Sequence, residues 1–338
     1  MTLSRALIVV WVCGAGGGCG GNQVAPPPFD YDASVAPRPP SCESESPGAG
    51  HDCGLTNNDD CCASPAVEGG STPTLVDPEK PQSGGGPRVT VSSFRLDKYE
   101  ITVGRFRQFL NAYPGSRPKP GDGAHPAVPG SGWQTTWPLP PDAAGIRAQL
   151  NNPSGMVCLH ATWTDTPGPN EHQPITCASW FLLFAFCAWD GGRLPTLFES
   201  QYVAVGGDDL RVYPWSDPPS STAHDDSFAV FSDDANHPIA GPGNVGSRPK
   251  GASRWGQLDL LGNVDEYLLD FYALTLQPWT ISCTDCAELG PWADPAGDRS
   301  TYGGGWDSTD TLDWNSFVEG APAADPWSTL GGRCARSL

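Results

Sequence analysis

Trp255-Gly256-Gln257-Leu258-Asp259-Leu260-Leu261-Gly262-Asn263-Val264-Asp265-Glu266-Tyr267 sets a Gly-Asn pair directly before a carboxylate and an apolar, aromatic run that continues through Leu268, Phe271 and Tyr272. Leu258, Leu260 and Leu261 lead into it. A Gly-Asn pair adopts positive φ at little cost, so the backbone can turn sharply here. A turn with free carbonyls, an Asn side chain and a Glu soon after suits a hard cation such as calcium. The competing reading is a buried loop whose Glu266 bonds backbone amides, because acidic loops far outnumber metal sites.

Outward from this stretch, composition bounds the answer. The 338 residues carry 41 Gly and 36 Pro, with only 17% charged residues and 13 Trp. That mixture indicates a loop-rich, well-packed globule behind an unfolded lead. The net charge of -19 speaks against nucleic acid or an anionic membrane surface as partner.

The first residues read as an export signal: Arg5, then an apolar run from Ala6 to Val12 that is too short to span a bilayer. Small residues Gly14 to Gly18 then reach Cys19, as at a lipoprotein cleavage site; plain secretion is the alternative. Of 12 Cys, removal of Cys13 with the leader and lipidation of Cys19 leave an even ten. In an oxidising compartment these are expected as disulfides. The organisation expected is a leader over 1–19, a Pro/Gly-rich tether with a small Cys module over 20–65, and one domain over 66–338. Cys42, Cys53, Cys61 and Cys62 staple the module, with three connectivities open.

From Arg88 the pattern becomes globular. Val89, Val91 and Phe94 alternate with polar residues as in a strand. Thr102 is placed to cap a helix whose Phe106, Phe109, Leu110 and Tyr113 share a face. A short helix is expected near Asp142 to Leu150. A buried one is expected over Trp180 to Trp189, capped by Ser179. A fourth begins at the capping box Thr196-Leu197-Phe198-Glu199. Beyond Gly206-Gly207 the chain reads as loops and short strands.

Six motifs then carry a resemblance. They are Leu96-Asp97-Lys98-Tyr99-Glu100-Ile101-Thr102, Gly192-Arg193-Leu194-Pro195-Thr196, Tyr213-Pro214-Trp215, Gly262 to Tyr267, Tyr302-Gly303-Gly304-Gly305-Trp306 and Gly332-Arg333-Cys334-Ala335-Arg336. In this order the chain resembles the formylglycine-generating enzyme (sulfatase-modifying factor) family. Its cysteine set resembles a lipoprotein subgroup of soil and predatory bacteria. The resemblance implies an irregular, loop-rich α+β, C-type-lectin-like fold that binds structural calcium. It carries Asn263, the Val264 backbone and Glu266 over as calcium ligands, with Asn236 in a second, incomplete loop. It also implies a Cys187–Cys334 disulfide. Cys158–Cys177 and Cys283–Cys286 follow as pairs by their proximity in the sequence.

The chemistry is where the chain departs. The family oxidises a substrate cysteine with two cysteines and copper(I), and soft thiolates suit copper(I). Here the family's active positions fall on Gly305, Ser308 and Asp313, and no Cys lies between Cys286 and Cys334. Copper is therefore not expected. Some relatives are iron enzymes with a His-rich site, but this chain has six scattered His and no preceding helical bundle. Asp307, Asp310 and Asp313 recur every three residues, as a hard-cation loop or a solvated acidic one. Ser308 as nucleophile lacks a named base. Arg193 and Glu199 read as framework, one pairing a buried carboxylate and the other capping its helix.

Three readings result. The first is an exported, lipid-anchored, catalytically degenerate scaffold binding a peptide, protein or glycan, with membrane contact through the anchor only. The second is an active sulfatase-modifying oxidase with an altered site. The third is a structural envelope protein. Trp residues outside the motifs, such as Trp133, Trp137, Trp163 and Trp327, suit either a groove or the core.

Overall fold

The computed structural model describes residues 38–73, 87–151, 158, 160–232, 241–272, 282–290, 297–308, 318–324 and 327–338. Cys13, Cys19, Asn236, Asp310 and Asp313 lie outside these residues. Residues 38–338 form one compact unit.

Helices are few, and each is placed by a cap and a buried face. α1 (Val103–Asn111) starts where the Thr102 hydroxyl accepts the Arg105 amide. α2 spans Ala143–Asn151. α3 (Trp180–Trp189) is capped by Ser179, and its residues from Trp180 to Cys187 are all buried. An all-round apolar helix must sit inside the protein. Trp137 and Phe184 meet the Trp180 ring at 5.0 and 5.2 Å, and Phe106 stacks on Phe186 at 6.0 Å. α4 (Leu197–Ala204) carries the complete capping box of Thr196 and Glu199. Gly206, at φ 70°, supplies the left-handed turn after it.

Among the described residues, ten short strands form three sheets. β1 (Ala66–Val67), β4 (Phe94–Leu96) and β10 (Ala335–Ser337) make one, with β4 central. β2 (Gly70–Pro73), β3 (Arg88–Val91) and β6 (Cys283–Thr284) make the second. β5 (Asp265–Phe271), β7 (Asp298–Tyr302), β8 (Val318–Pro322) and β9 (Leu330–Gly331) make the third, in the order β8-β7-β5-β9. The single strand read from Val89 to Phe94 is thus two, in different sheets. Ser92 leaves the ladder because its amide and hydroxyl both bond Asp285, at 2.7 and 2.6 Å.

The Cys module is built into the domain rather than hung from it. Its disulfides join Cys42 to Cys62 and Cys53 to Cys61. These cysteines pack against Tyr99, Val245 and Leu258. Ser41 bonds both Asp190 (2.9 Å) and Arg105 (3.0 Å). Arg105 and Arg336 in turn share Asp97 and Asp190 at 2.7–3.2 Å. Two cations and two anions balance there, and a buried charge is tolerated when so paired and hydrogen-bonded. Further disulfides join Cys158 to Cys177, Cys187 to Cys334 and Cys283 to Cys286. The second of these ties α3 to the C-terminal segment.

Candidate functional site

Gly262 and Asn263 take φ of 78° and 63°, the left-handed turn that a Gly-Asn pair supplies cheaply. The turn is clasped to two other loops. Asn263 donates its amide to Val230 O (2.8 Å), and Gly262 donates to Gly303 O (2.9 Å). Trp306 donates back to Asn263 O at 2.8 Å. The Gly-Asn motif and the Gly303–Trp306 motif, 40 residues apart in sequence, are therefore one structural piece. The Asn263 side chain is fully used: Oδ1 accepts the Gly243 amide and Nδ2 donates to Glu100, each at 2.8 Å.

β5 begins directly after the turn, and successive strand residues face opposite ways. Glu266 points inward. Arg333 Nε reaches both its oxygens at 2.8 Å, and Nη2 reaches Oε1 at 2.5 Å. The remaining Arg333 donors reach the carbonyls of Asp97, Lys98, Leu258 and Asp259 at 2.9–3.2 Å. Glu100 and Asp259 lie in the same buried cluster. Burial and Asp259 push the Glu100 carboxyl well up, and burial pushes Asp259 to about 6. The calcium ligands expected at this loop do not fit an ion as they stand. Arg333 already occupies Glu266, and Asn263 Oδ1 is bonded to the Gly243 amide.

On the opposite face lies a cavity of about 390 Å³. Asp265, Thr301, Gly304, Asp307, Ser308, Glu319 and Trp327 are among its walls. Gly304 and Ser308 in its wall flank Gly305, so it lies beside the two described positions at which the resemblance placed the active residues. Burial, then Glu319 and Asp307, push the Asp265 carboxyl up to about 8. Burial raises Asp307 too, with His160 acting against it. Ser308 Oγ accepts the Gly305 amide at 3.0 Å, so it closes the turn rather than facing a base. His125 meets Glu199 at 3.4 Å and His172 meets Asp52 at 2.7 Å, so both serve framework carboxylates.

All ten cysteines from Cys42 onward are in disulfides, so none offers a thiolate to copper(I) or to a substrate. Arg193 grips Glu199 through two nitrogens at 2.6 and 2.5 Å, while Glu199 also accepts the Thr196 amide. One carboxylate thus performs both framework roles read separately from the sequence. Burial raises Glu199, but Arg193 and His125 outweigh it and hold it at about 2.

Sequence reasoning passed over Thr301 and Glu319, and took Asp265 only as part of a motif. The missing signal was strand register. Thr301 pairs with Glu319 across β7–β8 and with Tyr267 across β5–β7, which puts Asp265, Thr301 and Glu319 on one sheet face.

Residues 59–338 match the family described as the sulfatase-modifying factor enzyme 1-like domain, and the chain belongs to that family. It is 26% identical over 252 residues to a formylglycine-generating enzyme of Bos taurus, covering 68% of this chain and 62% of that one. It is 30% identical over 210 residues to the inactive C-alpha-formylglycine-generating enzyme 2 of Mus musculus, covering 56% and 63%. The family thus holds proteins named as active and as inactive. The chain spans less than two thirds of the length of either relative. PvdO from Pseudomonas aeruginosa superposes with a TM-score of 0.53 at 20% identity, over 81% of this chain and 93% of that one. That likeness supports the α+β, C-type-lectin-like fold and nothing beyond it.

Proposed function

We propose that this protein is an exported, lipid-anchored, catalytically degenerate family member that uses the cavity beside Gly305 and Ser308 as a binding site. One observation carries the reading. The positions that would supply two thiolates are Ser308 and Asp313, and every cysteine from Cys42 onward is locked in a disulfide. A hydroxyl and a carboxylate cannot hold copper(I) linearly or form a mixed disulfide with substrate. What remains at that position is a polar cavity on a rigid base, which suits recognition. The disulfides support export to an oxidising compartment. Anchoring rests on Cys19, and blocking lipoprotein signal peptidase should leave the leader uncleaved.

The test is an oxidation assay. Copper-loaded mature protein is incubated with a Cys-x-Pro-x-Arg peptide, alongside an active control enzyme. The expected result is an unchanged peptide mass. Conversion of the thiol to an aldehyde would overturn the degenerate reading and establish an altered catalytic site.

A further inference from the structure

Eight of the ten cysteines from Cys42 onward are buried, with exposures from 0 to 6%. Cys283 and Cys286 are only partly buried. Their disulfide also closes the shortest loop, with a sequence separation of 3 against 8, 19, 20 and 147 for the others. A cross-link restrains the unfolded chain less as its loop shortens, so this one adds least to stability.

The segment has other means of staying in place. Cys283 and Thr284 pair in parallel with Val89 and Thr90 of β3. Asp285, at φ 48°, donates its amide to Thr90 O at 2.9 Å. Its carboxylate accepts the Ser92 amide at 2.7 Å and the Ser92 hydroxyl at 2.6 Å. Cys283 and Cys286 both pack on the buried cluster that holds Val89, Val91 and Phe94. Pairing, the Asp285 clamp and apolar contact thus hold the turn without the S–S bond, and reduction leaves two thiols close together. Asp285 also stands in the wall of a cavity of about 400 Å³ with Ser92, Phe94 and Pro126, which gives a peptide room beside the turn.

We propose that Cys283–Cys286 is a thiol–disulfide exchange site that oxidises a pair of peptide thiols. A substrate thiolate attacks one sulfur of the pair, and the other leaves as a thiolate and takes up a proton. The substrate's second thiolate then attacks its own sulfur in the mixed disulfide and releases the second protein thiolate. Two electrons and two protons pass from the dithiol to the protein, which ends reduced. A small aliphatic disulfide, itself reduced to two thiols, restores the pair. A substrate with one thiol is expelled by the neighbouring cysteine, which is held at high effective concentration. The site uses none of the residues around Gly305 and Ser308, so it stands or falls separately from the binding reading above.

The experiment uses the full mature protein and an excess of a peptide with two cysteines. Alkylation and mass mapping should label Cys283 and Cys286 and leave the other eight cysteines unmodified, with one peptide disulfide formed per protein. With oxidised glutathione added, peptide oxidation should run at least about tenfold faster than without protein. C283S/C286S should lose this acceleration, and its melting temperature should fall by no more than about 4 °C. Absence of label at Cys283 and Cys286, or peptide oxidation equal in the wild type and C283S/C286S, would overturn the exchange site. So would a melting temperature lowered by about ten degrees or more in that variant, which would make the pair a structural staple.

Discussion

Asp265 and Glu266 are neighbours in β5 and live in opposite surroundings. Glu266 is 5% exposed and chelated by a buried guanidinium, whereas Asp265 faces an open cavity with two further acids and, among the described residues, no lining cation. Asp270, further along the strand, is an intermediate case. It is buried without a cation, and its carboxylate accepts the amides of Leu197 and Glu288, each at 2.8 Å. One strand therefore carries a carboxylate as structural glue, one as the cap on α4, and one at the wall of a cavity. Pairing, rather than acidity, separates framework from site.

The largest effect should come from Arg333→Ala. Removing the guanidinium leaves Glu266 buried without its ion-pair partner, and breaking such a pair costs about 3–5 kcal/mol. For a domain of this size that lowers the melting temperature by about ten degrees or more. A circular dichroism melt close to wild type would break the comparison, because it would mean that Glu266 does not depend on its partner.

Asp270 sharpens the comparison through pH. Burial pushes its carboxyl from 3.8 to about 7, against the two amide bonds, with Glu199 and Glu288 adding to the rise. The folded state therefore holds this proton more tightly than the unfolded chain. Its contribution is fully present below pH 3.8 and is lost as pH rises through about 7. Asp270→Asn cannot titrate. The melting temperature of the wild type, measured relative to this variant, should thus fall between pH 4 and pH 7.5. A difference that grows with pH would show that the amide bonds hold Asp270 ionised.

Much of this was legible in the sequence, and the exceptions share a cause. Caps are local, so Thr102, Ser179 and the Thr196–Glu199 box could be read from spacing alone. The left-handed Gly262-Asn263 turn was legible for the same reason. Glu266 was assigned to an ion because its actual partner, Arg333, lies 67 residues away and appeared only as part of another motif. The cavity was illegible because it depends on register. Thr301 and Glu319 meet only once β7 and β8 are paired, and the facing of Asp265 is set by β5 starting at that residue. The boundary drawn between the Cys module and the domain met the same limit. Arg105 reaches Ser41 across 64 residues, a contact that no composition shift announces.

On the open face the expected effects are small and opposite in sign. Asp307→Asn and Glu319→Gln each remove an acidic group that has no ion-pair partner among the described residues. Exposed charges interact weakly, so each should raise stability by at most about 0.5 kcal/mol, or about 1–2 °C. A loss of several degrees in either melt would make that carboxylate structural and erase the contrast with Glu266.

The smallest expected effect is that of calcium. An extracellular-type site binds calcium with Kd of about 10⁻⁴–10⁻³ M, so 10 mM would stabilise the fold by about 1.4–2.7 kcal/mol. That would move the melting temperature by several degrees. With Glu266 held by Arg333 and Asn263 Oδ1 held by the Gly243 amide, no such shift is expected between 10 mM calcium and excess chelator. A clear shift would mean that an ion competes with a guanidinium or enters the cavity, and two variants tell these apart. Loss of the shift in Glu266→Gln would place the ion on the inner face of β5 and restore the calcium reading of the Gly-Asn loop. Loss in Asp307→Asn would place it on the outer face. The identity of the cation that each face of the strand prefers is thus a measurable quantity, and one melting series at two calcium levels reads it.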